Sequence, residues 1–268
     1  MSNVLWEMKL FFQHVYGRMS DASVIFCEVL ANFDPEEETY ALENGWFVYE
    51  WSNEKPTPWV QGRQTRLEVS KLKHNKKTRK MIKPCAGIES TFKPLKESNL
   101  EDLERVYRAY ATHRGFEHDM QIKDLYLDLQ NKYILEHRDE GVLRAFTICR
   151  VYDNSPSMTS IQFCWDYHKP KMFLGKYSMI KELEIARERG FDYIYLMPAY
   201  EDICIYKSYF QGFEFWDGTR WSSDRDMFIR MCENDSKVNT IKDVDKLMWN
   251  YEKNYFRPFP NIKRENLK

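Results

Sequence analysis

Hydrophobic and polar residues are arranged differently in the two halves of the sequence. Up to about residue 60, aromatic and aliphatic residues form short alternating runs, of which 46–51 (WFVYEW) is the clearest. Turn residues bound this run, with Asn44 and Gly45 before it and two prolines after it. Alternation of period two between turn signals is typical of half-buried strands. We predict a small sheet with a helix in this region.

From residue 100 the pattern changes to alternating helices and strands. Asn99 is a suitable N-cap for a helix whose apolar positions, 103, 106, 107 and 110, follow helical spacing. Residues 124–131 predict another helix. Residues 141–152 and 158–165 predict two strands joined by the turn at 153–156.

A long amphipathic helix is predicted next. Gly175 leads into it, its apolar positions repeat every 3.6 residues, and it ends near Arg189 and Gly190. A strand at 193–196, a helix at 203–209 and a strand at 213–216 follow, and residues 240–251 predict a last helix.

This order of elements predicts an α/β (α+β) fold with three segments. Residues 1–95 would form a mixed N-terminal domain, residues 96–234 a domain of the N-acetyltransferase (GNAT-like) type, and residues 235–268 a C-terminal helix and tail. The order alone is compatible with many α/β domains, and a fold does not determine the chemistry.

Composition narrows the classes of function. The chain of 268 residues has 40 Lys and Arg against 41 Asp and Glu, so contact with nucleic acid has to come from a local patch. No apolar stretch approaches the roughly 20 residues of a bilayer span, and no basic and apolar leader is visible. We therefore expect a cytoplasmic protein with no membrane contact. Six scattered cysteines without a C-x-x-C pair argue against a metal site.

One local basic patch is present. Residues 63–83, called here the basic segment, hold nine Lys and Arg against the single acid Glu68. Such a surface can bind nucleic-acid phosphates by releasing counterions, although a run of charges can also be no more than a solvated helix face. The candidate RNA-binding residues are Arg66, Lys73, Lys76, Lys77, Arg79 and Lys80.

Several motifs in collinear order carry a resemblance to a known family. The run LGKYSMIKELEIARERG at 174–190, followed by YIYL at 193–196, resembles a conserved stretch of arginyl-tRNA–protein transferases and their bacterial leucyl-transferring relatives. Residues 66–80 and 106–114 resemble two upstream segments of that family, and 204–210 and 217–221 echo two later ones. The cysteine cluster that the family usually has before the basic segment is absent from 51–63.

The resemblance implies transfer of an amino acid from aminoacyl-tRNA to an amine, first of all a protein N-terminus. It implies that the Gly175 end of the long helix faces the aminoacyl donor, with no further cofactor. Acetyl-CoA is disfavoured because the turn at 173–177 has a single glycine. For substrate binding we predict Gly175, Lys176, Tyr195, Lys207, Arg108 and Arg114.

Aminolysis of an ester needs a base for the attacking amine. Glu184 is the first candidate because the helical pattern sets it among apolar residues; Tyr177 and Tyr206 complete the predicted catalytic set. Salt bridging is the alternative role for Glu184, and core packing that for the tyrosines. Two other functions remain open: transfer to a non-protein acceptor such as a modified nucleobase or a small molecule, and RNA binding without catalysis.

Overall fold

The computed structural model describes residues 9–18, 22–31, 33–50, 57–115, 122, 131–218 and 220–236. The helix predicted at 240–251 lies outside these residues, as does nearly all of the one predicted at 124–131. The described chain forms two compact units, Met1–Thr65 with Met197–Lys268, and Arg66–Leu196. The boundaries predicted near residues 95 and 234 rest on composition. The two units are defined instead by contacts between residues, and their boundaries differ.

The first unit contains a four-stranded sheet of order β1-β2-β4-β3. Its strands are β1 (Lys9–Arg18), β2 (Ala22–Ala31), β3 (Trp46–Val48) and β4 (Trp59–Gln61), with helix α1 (Glu38–Glu43) before β3. Strand β3 pairs with β4 antiparallel, so Phe47 lies opposite the buried Val60. The predicted small sheet with a helix is confirmed.

The first unit also contains the pair β11 (Phe213–Trp216) and β12 (Trp221–Ser222), followed by helix α5 (Arg225–Asp235). Phe228 of α5 is fully buried against Phe213 and Phe215. The predicted helix at 203–209 is a 3₁₀ helix, Asp202–Tyr209.

The second unit is built on a sheet of order β5-β10-β9-β8-β7-β6. These strands are β5 (Gln64–Glu68), β6 (Glu89–Pro94), β7 (Lys132–Asp139), β8 (Val142–Val151), β9 (Ser157–Trp165) and β10 (Tyr193–Pro198). Strands β6 to β9 pair antiparallel, and β10 pairs parallel with β9. The parallel pairing covers Tyr193–Tyr195 against Ser157–Thr159 only, so β9 and β10 are not paired with each other toward their carboxyl ends.

Helix α3 (Leu100–Arg114) packs on one face of this sheet. The Asn99 carbonyl oxygen Oδ1 accepts from the backbone N–H groups of Glu101 and Asp102 at 2.9 and 3.2 Å, so the predicted N-cap is confirmed. Leu103 and Val106 of α3 join a buried core with sheet residues that include Ile134, Phe146 and Ile148. Alternate residues of β8 therefore face α3, and those between them face the opposite side of the sheet.

Helix α4 (Leu174–Glu188) packs on that opposite face. Leu174 and Tyr177 of its first turn join Cys85, Ile88 and Ala145 in a second core. Full burial of a side chain such as Leu174 or Ile88 contributes about 1.5–3 kcal/mol. The predicted amphipathic helix is confirmed, although it begins one residue before Gly175. A short helix α2 (Lys76–Ile82) adjoins α4.

The predicted α/β class is confirmed. Antiparallel strands, a helix and then a strand that pairs parallel with β9 only at its start form the arrangement expected of an N-acetyltransferase-type domain. None of the described helices combines the length and the hydropathy that crossing a bilayer requires.

Candidate functional site

The basic segment and helix α4 are neighbours along most of the helix. Near the carboxyl end of α4, Arg187 donates from Nη2 to the carbonyl of Leu72 at 2.5 Å. His74 Nε2 lies 3.6 Å from Glu184 Oε1 one turn earlier. At the other end, Ile82 of the segment packs against the core that contains Leu174 and Tyr177 of the first turn of α4. The segment therefore runs antiparallel to α4 and reaches its first turn.

Three cations of helix α2 face solvent. Lys76, Arg79 and Lys80 are exposed, and none has a carboxylate partner among the residues that the structure describes. Asn75 caps this helix by accepting from the N–H of Thr78 at 3.0 Å. Unpaired cations held on a capped helix form a surface that attracts polyanions such as nucleic-acid phosphates.

The other members of the predicted RNA-binding set are placed differently. Arg66 lies in strand β5, is 7% exposed, and stacks over Tyr193 at 3.8 Å from the ring centroid. Its charge is therefore not on the surface, because a strand and not a helix occupies this part of the segment. Lys73 is exposed before α2. Lys77 belongs to α2, but its side chain lies outside the described part of the chain.

No side chain in the described part of the chain caps the first turn of α4. Phe173 is the N-cap residue with φ of 54°, and its exposed ring lies 5.2 Å from Lys176 Nζ. A Cβ on Gly175 would lie 3.3 Å from Cε1 of Phe163, so the helix passes close to β9 there. An uncapped first turn leaves backbone N–H groups free to polarise a carbonyl or bind an anion.

Glu184 is not on the buried face of α4, contrary to the expectation from the pattern. Its side chain is 23% exposed and is bonded to Lys181 Nζ at 2.7 Å. The buried carboxyl is Glu182, which is 1% exposed. The hydrophobic pattern indicates Glu184 instead of Glu182, because the side chains that face Glu182 are serine and threonine and not apolar ones.

Those side chains form a continuous set of hydrogen bonds that we call the buried polar network. Ser178 and Thr147 both donate to Glu182 Oε1, at 3.0 and 2.9 Å. Ser178 Oγ lies 2.9 Å from Nε2 of His137, and Nδ1 of His137 lies 2.9 Å from Ser90 Oγ. The network consists of Ser90, His137, Thr147, Tyr177, Ser178 and Glu182.

The network is desolvated except at one end. His137, Thr147 and Ser178 are at most 1% exposed, whereas Ser90 on the edge strand β6 is partly exposed. The Tyr177 hydroxyl lies 3.1 Å from Ser90 Oγ, which joins the network to the first turn of α4. Burial lowers the pKa of His137 to about 3, with Lys181 adding to the effect. Burial also raises the pKa of Glu182, which its serine and threonine partners oppose.

The remaining predicted site residues are spread over both units. Arg108 on α3 is bound to Glu104 Oε1 at 2.7 Å, and Arg114 lies 6.0 Å from the Tyr110 ring. Tyr195 is buried in β10. Tyr206 and Lys207 belong to the first unit, where Tyr206 is exposed and Lys207 is buried with its ammonium donating to the carbonyls of Met197 and Pro198. The second unit thus brings together Tyr177, Gly175 and Lys176, with Glu184 on the same helix.

Sequence reasoning missed Ser90, His137 and Glu182. Strands β6 and β7, which carry Ser90 and His137, were not predicted, so nothing placed these residues opposite α4. The signal that was available is the i, i+4 spacing of Ser178 and Glu182 on the helix.

The described elements define an α/β domain. Residues 99–217 match the model of the family described as "Arginine-tRNA-protein transferase, C terminus". Over these residues the resemblance expected from the motifs is confirmed.

A curated relative and several solved structures are also similar. An aspartate/glutamate leucyltransferase of Ruegeria pomeroyi is 33% identical over 93 residues, which are 34% of this chain and 33% of the relative. The chain thus spans about a third of the length of the curated relative that it matches.

Two solved structures are similar at lower identity. The C-terminal domain of a putative lysylphosphatidylglycerol synthetase from Agrobacterium fabrum has a TM-score of 0.46 at 13% identity, covering 63% of this chain and 53% of that one. FemX has a TM-score of 0.43 at 8% identity, covering 74% and 80%.

Proposed function

We propose that this protein is an aminoacyltransferase that moves an amino acid from aminoacyl-tRNA to an amine acceptor, in the first place the N-terminus of a protein, in the cytoplasm. The observation that carries the proposal is the match of residues 99–217 to the arginine-tRNA-protein transferase family model. The matched residues include α4 with its uncapped first turn, and the exposed cations of α2 adjoin that helix.

The proposed division of labour follows the geometry. Lys73, Lys76, Arg79 and Lys80 bind tRNA phosphates, and the affinity depends on salt because counterions are released. The first turn of α4, with Gly175 and Lys176, receives the aminoacyl ester, where backbone N–H groups stabilise negative charge on the carbonyl oxygen. Arg108, Arg114, Tyr195, Tyr206 and Lys207 remain predicted contacts to the substrates.

A transfer assay tests the proposal. The full chain is incubated with tRNA charged with labelled arginine or leucine and with a peptide that begins with Asp or Glu. We expect label in the peptide, and none when the same peptide is N-acetylated, because acetylation removes the attacking amine. Absence of transfer with every charged tRNA and every acceptor contradicts the proposal.

The other two functions appear as distinct outcomes of this assay. Label in a small amine or a nucleobase, with none in peptides, indicates a non-protein acceptor. Salt-dependent tRNA binding without any transfer indicates an RNA-binding module. The exposed cations Lys76, Arg79 and Lys80 of α2 favour RNA binding in all three cases, so only the transfer step separates the three functions.

A further inference from the structure

The hydrogen-bond directions in the buried polar network are determined by its buried ends. An ionised carboxylate only accepts, so the protons of Ser178 and Thr147, whose oxygens lie 2.8 Å apart, reach Glu182 Oε1 directly or through one another. In each arrangement the Ser178 proton points toward Thr147 or Glu182. Each hydroxyl has a single proton, so the oxygen of Ser178 is left to accept from Nε2–H of His137.

The other half of the network follows from His137. Because the imidazole resists a second proton, its Nδ1 is bare when Nε2 carries the proton, and it accepts from Ser90 Oγ–H. Ser90 in turn accepts from the hydroxyl of Tyr177. The hydrogen bonds that link Ser90 to Glu182 therefore all point inward.

We propose that the buried polar network is a proton relay in which Ser90 is the catalytic entry point, His137 and Ser178 pass the proton on, and Glu182 receives it. This inference rests on the proposed function, because the proton that enters is that of the attacking amine. It assigns the role of base to Glu182, two positions before Glu184 on α4. The contact with the amine is made by Ser90 on β6.

Atoms and charges balance in the reaction. The amine nitrogen forms a bond to the ester carbonyl carbon, and the electron pair of the ester C–O bond leaves with the ribose oxygen of the tRNA. The amine proton moves to Ser90 Oγ as the Ser90 proton moves to Nδ1 of His137, the Nε2 proton to Ser178, and the Ser178 proton to Glu182. The reverse path returns a proton to the ribose oxygen.

His137 changes tautomer in this relay and at no stage becomes an imidazolium. This is the form of transfer that a fully desolvated histidine can perform, since the charged ring is strongly disfavoured there. Glu182 in turn is suited to hold a proton, because its carboxyl is 1% exposed and burial raises its pKa.

The first test reads the tautomer directly and needs no activity. In ¹⁵N-labelled protein near neutral pH, we expect the His137 signals of a bare Nδ1 and a protonated Nε2, assigned by their loss in His137→Gln. A protonated Nδ1 or a doubly protonated ring overturns the relay, because the chain of donors would then point the other way or be broken.

The second test measures turnover with Ser90 variants. Ser90 lies on an edge strand, where Ala and Thr are both tolerated, so the fold is kept. In the transfer assay we expect Ser90→Ala to lower kcat by about 100-fold with KM unchanged, a typical size for loss of proton transfer. Ser90→Thr keeps a hydroxyl and restores most of the rate. Equal rates for the wild type and Ser90→Ala overturn the relay.

A third test uses the pH dependence. The titratable groups that face the network are Cys149 on β8 and Lys181 and Tyr177 on α4, besides His137 and Glu182 themselves. The relay requires Glu182 without its proton, so kcat should fall on the acid side at a pH above the ordinary range of a glutamate. Glu182→Gln should lower kcat and remove the fall of kcat on the acid side of the pH profile. Glu188→Gln changes an exposed carboxyl of the same helix and should leave kcat and its pH profile unchanged.

The outcomes separate the relay from the proposed function. If the wild type transfers no amino acid at all, the proposed function fails, and the tautomer decides on the relay alone. If the wild type transfers and Glu184→Gln loses turnover while Glu182→Gln keeps it, the relay is overturned and the base role returns to Glu184.

Discussion

The exposed part of the basic segment and the buried polar network both adjoin helix α4, yet they hold polar groups in opposite ways. Lys76, Arg79 and Lys80 carry full charges into solvent without partners among the described residues. The network holds a histidine and a glutamate away from water and satisfies them with hydroxyl groups. Screening by salt weakens the first kind of interaction, while the second responds to protonation and packing.

This contrast distinguishes the residues that we expect to bind tRNA from those that we expect to move protons. Exposed cations contribute to long-range attraction and cost the fold little when they are removed. Desolvated hydrogen bonds contribute to stability and keep protons in defined positions, and removing one partner leaves another unsatisfied. Variants in the two regions should therefore change different measured quantities.

The largest expected effect is on stability when the network is broken. His137→Ala removes a fully buried ring and takes one hydrogen-bond partner from each of Ser90 and Ser178. We expect the free energy of unfolding to fall by about 3 kcal/mol, from the cavity and the unsatisfied groups. Urea unfolding measures this, with Lys80→Ala as the surface control at about 0.5 kcal/mol or less. A decrease below about 1 kcal/mol for His137→Ala would contradict the buried geometry.

The next effect is the pH dependence of stability. His137 takes up a proton at its ordinary pKa of 6.5 when unfolded, but only at a pKa of about 3 when folded, so the unfolded state binds more protons between these values. Wild-type stability therefore contains a contribution that is lost as pH falls below 6.5, by about 2 kcal/mol between about pH 8 and about pH 5.

Comparison with His137→Gln isolates this contribution. Glu182 has the opposite sign, since its raised pKa lowers stability as pH rises above its ordinary value, and it is present in both proteins. We expect the wild type to lose stability relative to His137→Gln as the pH falls. Parallel curves of unfolding free energy against pH would rule out a desolvated neutral His137.

Replacing cations of the basic segment should have a smaller effect, which is on the free energy of tRNA binding. Replacing Lys76, Arg79 and Lys80 by alanine should reduce the slope of log affinity for tRNA against log salt by about 2 to 3, because each phosphate that is no longer neutralised lowers the slope by roughly one. Filter binding or fluorescence anisotropy at several salt concentrations measures this slope. Lys96→Ala, which removes an exposed cation outside the segment, is the control. An unchanged slope in the triple variant would leave these residues as a solvated helix face.

The smallest expected effect is at Gly175. A methyl group there meets Phe163 at 3.3 Å, while alanine is a better helix former than glycine by about 1 kcal/mol, so the two effects nearly cancel. Thermal unfolding of Gly175→Ala should differ from the wild type by less than about 1 kcal/mol. Failure of this stable variant to transfer would support the role of the first turn in holding the ester.

The sequence predicted those features that depend on local pattern. The Asn99 cap, the periodicity of α3 and α4, the turn between β8 and β9 and the small N-terminal sheet all follow from residues close together in the chain. Family motifs extended this to the region that the family model matches.

The features that depend on pairing at a distance were not predicted. Ser90 reaches His137 only because β6 pairs with β7, and a register of this kind has no signature in either strand alone. For the same reason the pattern indicates Glu184, and not Glu182, as the buried acid. The helical pattern counts apolar neighbours, whereas the actual partners of Glu182 are hydroxyl groups, one of them on β8.

The separation of binding from chemistry is tested most directly by measuring kcat and KM for transfer in two variants side by side. Ser90→Ala should lower kcat and leave KM for charged tRNA as it is, while the alanine triple variant of Lys76, Arg79 and Lys80 should raise KM and leave kcat near the wild-type value. A change of the same parameter in both variants would contradict the account.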